Sequence, residues 1–127
     1  LVLFGQLGGG KIDVDAVQKR LGDPANEKIA TSLREIGIYS AVDLFGTYAG
    51  RRSDMASWLK DASINTDRNL RLQYLAGLAL NLHDADSIYR KMIKDSRYPE
   101  DLFTGSQETL RALRTRVQQS LGGAPQF

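Results

Sequence analysis

Cysteine is absent from this chain, and histidine and tryptophan each occur once in 127 residues. Without cysteine there is no disulfide framework and no thiolate metal site; this fits a reducing compartment, and the expected location is cytoplasmic. His83 is the single imidazole. A zinc centre needs three or four converging ligands, and no second His or Cys exists to join it. The neighbours Asp84 and Asp86 lack the spacing of an all-carboxylate Mg²⁺ site, so His83 reads as a helix-end histidine. A Ser-His-Asp triad would have to use His83 as its base, and no G-x-S-x-G elbow occurs.

Long apolar runs are also missing. Nothing approaches the roughly 18 uninterrupted apolar residues of a membrane helix, so direct membrane insertion by this segment is not expected. Leu1-Val2-Leu3-Phe4 is too short for a signal peptide and has no basic flank. The chain starts without Met, in what reads as a strand, so it is expected to be a piece of a longer one. Charge of one sign is scarce as well: the net charge is +2, too near balance to require a polyanionic partner. What is present suits one modest soluble domain, with 42% apolar and 25% charged residues.

The opening stretch, LVLFGQLGGGKID, raises the question of a phosphate loop. Gly5, Gly10 and Lys11 match G-x-x-x-x-G-K, but the following position holds Ile12 where Mg²⁺ needs a hydroxyl. Asp13 and Asp15 would also set negative charge beside a triphosphate. The chemistry of a nucleotide site fails here. A strand over 1–7 leaving through a glycine turn is the expected structure.

Beyond it the chain reads as short helices with caps and stops. Asp13 caps a helix over 14–21, with Val14, Val17 and Leu21 on one face and Gly22 as its stop. Pro24 opens a second helix whose apolar face is Ile29, Leu33 and Ile36 and whose stop is Gly37. Ser40 caps a third, carrying Val42, Leu44, Phe45 and Tyr48 and closed by Gly50. Ser53 caps a fourth, short one with Met55, Trp58 and Leu59. In 63–82 two periods overlap: Leu70, Leu72 and Tyr74 alternate as in a strand, while Leu75, Leu78, Leu82, Ala85, Tyr89 and Met92 recur at helical spacing. An extended stretch to about Tyr74 and a helix beyond are expected. Asp84–Asp95 reads as helix, interrupted downstream by Tyr98-Pro99, and Ser106 caps a last helix over 107–121 with the stripe Leu110, Leu113, Val117 and Leu121. The tail GGAPQF is expected to fray.

Few residues have the pattern of chemistry. Asp13/Asp15 and Glu100/Asp101 read as helix caps and solvated turns, not as an acid–base pair. Arg90, Lys94 and Arg97 share a helical face near Tyr89 and Tyr98, with Lys91, Arg111, Arg114 and Arg116 nearby. Asp86, Asp95, Glu100 and Asp101 interleave them, so the surface lacks the single sign that phosphate tracking needs and no nucleic-acid partner is expected. Asn65, Thr66 and Asp67 are short polar residues suited to holding a turn before a strand or lining a neighbouring pocket.

Taken in order, LVLFGQ, KID before a helix, LREIGI, the helix start SAVDLF and INTDRNLRLQYLAG resemble the C-terminal region of bacterial spermidine synthase-like proteins. These include forms fused to a membrane-embedded N-terminal half, which would anchor the parent. The resemblance covers Leu1 to about Phe103. It implies a methyltransferase-like α/β parent that transfers an aminopropyl group from decarboxylated S-adenosylmethionine to putrescine. It further implies that residues 1–6 match a late strand of the parent's sheet and residues 70–75 its final, antiparallel strand. The glycine-rich cofactor loop, the ribose-binding acid and the amine-activating aspartate of that family would lie upstream. Neither catalytic residues nor a cofactor are therefore expected in this segment. Asn65, Thr66 and Asp67 match positions that the family keeps near its active-site side, and are the expected substrate-binding residues. Arg68 and Asn69 depart from the acidic residue and proline that often follow there. The helices past Gly77 have no counterpart in compact aminopropyltransferases.

The expected fold is mainly α (α+β): several short amphipathic helices with at most a small two-stranded sheet, as a piece of a methyltransferase-like α/β protein. Residues 1–83 would form the C-terminal edge of the aminopropyltransferase-like domain, and 84–127 a helical extension. The expected partner is the remainder of the parent chain. The alternative is a helical module for protein–protein interaction or self-association, motivated by more apolar stripe than this chain can bury.

Overall fold

A computed structural model describes residues 9–64, 66, 68 and 85–122 of the chain. The expected strands over 1–7 and 70–74, the helix beginning at Leu75, His83, Asn65, Asp67 and the tail after Gly122 lie outside the described residues. Among the described residues the fold is mainly helical, with one small sheet of two parallel strands. The chain divides into two compact units, one containing the described residues 9–48 and 98–122, the other 49–64, 66, 68 and 85–97.

In the first unit, β1 (Ile12–Asp13) runs directly into α1 (Val14–Leu21), a 3₁₀ turn (Pro24–Asn26), α2 (Glu27–Glu35) and α3 (Ala41–Gly46). The later segment adds β2 (Phe103–Thr104) and α4 (Gln107–Gly122). β1 pairs with β2 in parallel, Ile12 opposite Phe103 and Asp13 opposite Thr104. Each strand is two residues long, too short to show a period, and no strand was expected at 12–13 or 103–104. The pairing depends on a partner some ninety residues away in sequence.

The caps follow from local chemistry. Asp13 Oδ1 accepts from the Ala16 N–H at 2.9 Å at the start of α1, satisfying a donor that has no partner within the helix. Asp23 accepts from Ala25 N–H at 2.9 Å, with Pro24 first in the 3₁₀ turn, where its missing N–H costs nothing. At the end of α2, Ile38 N–H donates to Leu33 O and Gly37 N–H to Arg34 O. Those two bonds form a Schellman motif, which requires the left-handed backbone that Gly37 supplies with φ 80°. Ser40 Oγ accepts from Asp43 N–H at 3.0 Å and donates to Asp43 Oδ2 at 2.8 Å, closing the N-terminus of α3.

Three expectations are corrected here. α2 does not pack through Ile29, Leu33 and Ile36: Ala30 is buried and Leu33 partly so, whereas Ile29 and Ile36 are 59% and 71% exposed. The small Ala30 side chain, rather than the larger isoleucines, faces inward. α3 ends at Gly46, not at Gly50. Thr47 Oγ1 donates back to Leu44 O at 2.7 Å, closing the last turn early. Residues 52–61 are consecutive turns rather than a fourth helix. Most of their backbone bonds there span three residues, among them Asp54 N–H to Arg51 O and Lys60 N–H to Ser57 O, while Asp54 Oδ2, not Ser53, accepts from the Arg51 N–H.

The core of the first unit is Val14, Ala41, Phe103, Leu113 and Val117. Val14 arrives from α1, Ala41 from α3, and Leu113 and Val117 from one stripe of α4, as its 3.6-residue spacing predicts. Phe103 is ringed by Phe45, Tyr48 and Tyr98, with centroids 5.4, 6.3 and 6.1 Å away, the offset and edge contacts that aromatic rings favour. α3 and α4 approach closely because Gly46 has no side chain. A Cβ there would run into Arg116 Cγ. In the second unit, a helix over Ala85–Ile93 buries Met92 and Ile93 and is followed by a turn at Lys94–Asp95.

Candidate functional site

Thr66 is the described member of the Asn65-Thr66-Asp67 segment, and it is exposed; its neighbours Asn65 and Asp67 lie outside the described residues. The structure therefore neither assembles nor separates these three. Among the described residues no group of three or more His, Cys, Asp or Glu is arranged to hold a metal ion.

Among the described residues a compact polar cluster lies elsewhere, where the first turn of α1 meets the start of α4. Asp15 Oδ2 accepts from Ser106 N–H at 2.5 Å and its Oδ1 from the Thr109 hydroxyl at 2.6 Å. Ser106 Oγ donates to Thr109 Oγ1 at 2.8 Å and accepts from Thr109 N–H at 3.3 Å. A serine hydroxyl thus leads through a threonine to a carboxylate, superficially like a relay. The Thr109 hydroxyl, followed by the Ser106 N–H, holds the Asp15 carboxyl below its ordinary value of 3.8. A carboxylate stabilised in its charged form is a poor base at neutral pH. The cluster is a shared cap: Asp15 and Ser106 satisfy the first donors of α4 and tie it to α1. Sequence reasoning found the Ser106 cap and placed Asp15 among helix caps and solvated turns, but not on α4, whose start lies about ninety residues away.

A shallow cleft of about 180 Å³ lies between α1 and α2, lined by Gln18, Leu21, Ala30, Leu33, Arg34 and Tyr39 among others. That is below the roughly 300 Å³ at which small-molecule sites begin. Two of its polar side chains are already engaged. Gln18 Oε1 accepts from Ala41 N–H at 2.8 Å, and Arg34 Nη2 donates to Glu27 at 2.6 Å and to Thr31 at 2.9 Å.

The basic residues are similarly occupied in part. Arg114 pairs with Glu100 and stacks over Tyr98, 5.2 Å from its ring centroid. Burial raises the Tyr98 phenol above its ordinary value, and the Arg114 charge opposes that shift. Arg116 approaches Asp43 at 4.0 Å. In the second unit, Arg97 Nη1 donates to the Ser96 carbonyl at 2.8 Å, while Arg90, Lys91 and Lys94 are exposed. These interactions are those of structural charge on a solvated surface. Among the described residues no helix is long and apolar enough to cross a membrane.

No protein-family model, curated protein or solved structure matches this chain.

Proposed function

We propose that this chain is the non-catalytic C-terminal region of a spermidine synthase-like protein, whose parent transfers an aminopropyl group from decarboxylated S-adenosylmethionine to putrescine. The observation that carries the reading is the ordered series of segments from LVLFGQ to INTDRNLRLQYLAG. Two of its helical segments support it: α1 follows KID directly and SAVDLF opens α3. On this reading the chain sits on the cytoplasmic side, its partner is the upstream catalytic half, and Asn65, Thr66 and Asp67 face that half's substrate pocket. The test is an aminopropyl-transfer assay on the chain alone and on the parent. Transfer by the parent and none by the chain is expected. Transfer by the chain itself, or a parent without a nucleotide-binding βαβ pattern upstream, overturns the reading.

A second reading, a helical interaction module, is favoured by a specific feature of the first unit. Ile29, Ile36 and Tyr39 are all large and well exposed, Tyr39 at 71%. Apolar groups clustered outside a core mark contact surfaces.

A further inference from the structure

α2 carries a stripe that the fold leaves outside. Ile29 and Ile36 lie seven residues apart, within about 20° of each other around the helix axis. Ala30, about 100° round the axis from Ile29, is buried, so the packing of α2 does not use the isoleucines. Between them stands Ser32, small and exposed. The flank away from Ala30 holds Lys28 and Glu35, also seven residues apart and exposed. Neither makes an ion pair or side-chain hydrogen bond among the described residues.

We propose that this face docks a second copy of the chain, α2 against α2, antiparallel about a two-fold axis. The proposal rests on the interaction-module reading and names its partner. A two-fold turns the stripe onto itself, so Ile29 of each copy packs on Ile36 of the other. Ser32 falls at the crossing point, where a small side chain lets helix axes approach to about 8–10 Å. Lys28 of each copy then comes within about one turn of Glu35 of the other, which makes two ion pairs by symmetry. A parallel two-fold would put the charged flanks of the two copies on opposite sides of the seam and form neither ion pair, so charge selects the antiparallel one. Mixed charge of this kind also disfavours a partner of single sign. The contact is smaller than the roughly 1,600 Å² of a standard interface, and the dimer is accordingly weak.

Sedimentation velocity on the whole chain, from about 10 µM to about 1 mM, tests it. A concentration-dependent monomer–dimer equilibrium is expected. Lys28→Glu and Glu35→Lys should each weaken self-association about tenfold. Mixing the two variants should restore it, because each copy then offers the other the opposite charge at both contacts. Each substitution places favourable charge at its own end of α2, so neither unfolds the helix. A dimer indifferent to both substitutions overturns this placement while the broader interaction reading stands. A chain that stays monomeric throughout also overturns it, and pull-down by the parent's upstream half then decides the broader reading separately.

Discussion

The Asp15 carboxylate joins two segments that are far apart in sequence, and its chemistry predicts how the protein meets acid. Its folded pKa is lowered by the Thr109 hydroxyl and the Ser106 N–H. The stabilisation is therefore fully present above the unfolded value near 3.8 and is lost as pH falls below it, through the folded value. Thermal unfolding followed from neutral to acidic pH should show Asp15→Asn with a lower Tm at neutrality and a shallower decline below pH 3.8. Equal slopes for the two proteins would refute the assignment. Ser96 is the converse case: it is buried, and its Oγ has no hydrogen-bond partner. Removing an unpaired buried hydroxyl relieves a desolvation cost, so Ser96→Ala should leave stability unchanged or raise it by up to about 1 kcal/mol in urea unfolding.

At the level of elements, the contact between α3 and α4 depends on a missing side chain. Gly46→Ala places a methyl against Arg116 Cγ, close to the backbone, where the side chain has little freedom to move aside. Although alanine is the better helix former, the clash should prevail and cost about 1–3 kcal/mol. The double variant Gly46→Ala/Arg116→Ala should recover most of that loss, and a denaturant double-mutant cycle measures the coupling. Helix positions were legible because caps are local: Asp13, Ser40 and Ser106 each bond within three residues of themselves. The inward face of α2 was not. Ile29, Leu33, Ile36 and Ala30, Leu33 both satisfy a helical period, and only the neighbouring α1 decides between them. The turns over 52–61 defeated the same reasoning, since apolar residues spaced three and four apart occur in successive turns as well as in helices.

For the molecule as a whole, α4 supplies the central pillar of the first unit. Leu113 and Val117 are fully buried against Val14 of α1, Ala41 of α3 and Phe103 of β2. Leu113→Ala removes side-chain contacts to several elements at once and should cost about 2–5 kcal/mol, read as a lower urea midpoint by circular dichroism. The mainly helical class, the places of α1, α3 and α4, and the buried stripe of α4 followed from the sequence alone, because each depends on bonds and spacings within a few residues. The tertiary structure decided the parallel pairing of Ile12–Asp13 with Phe103–Thr104, which helix Asp15 caps and the outward turn of Ile29 and Ile36. Those features need partners brought together from distant parts of the chain, and no local pattern encodes a partner.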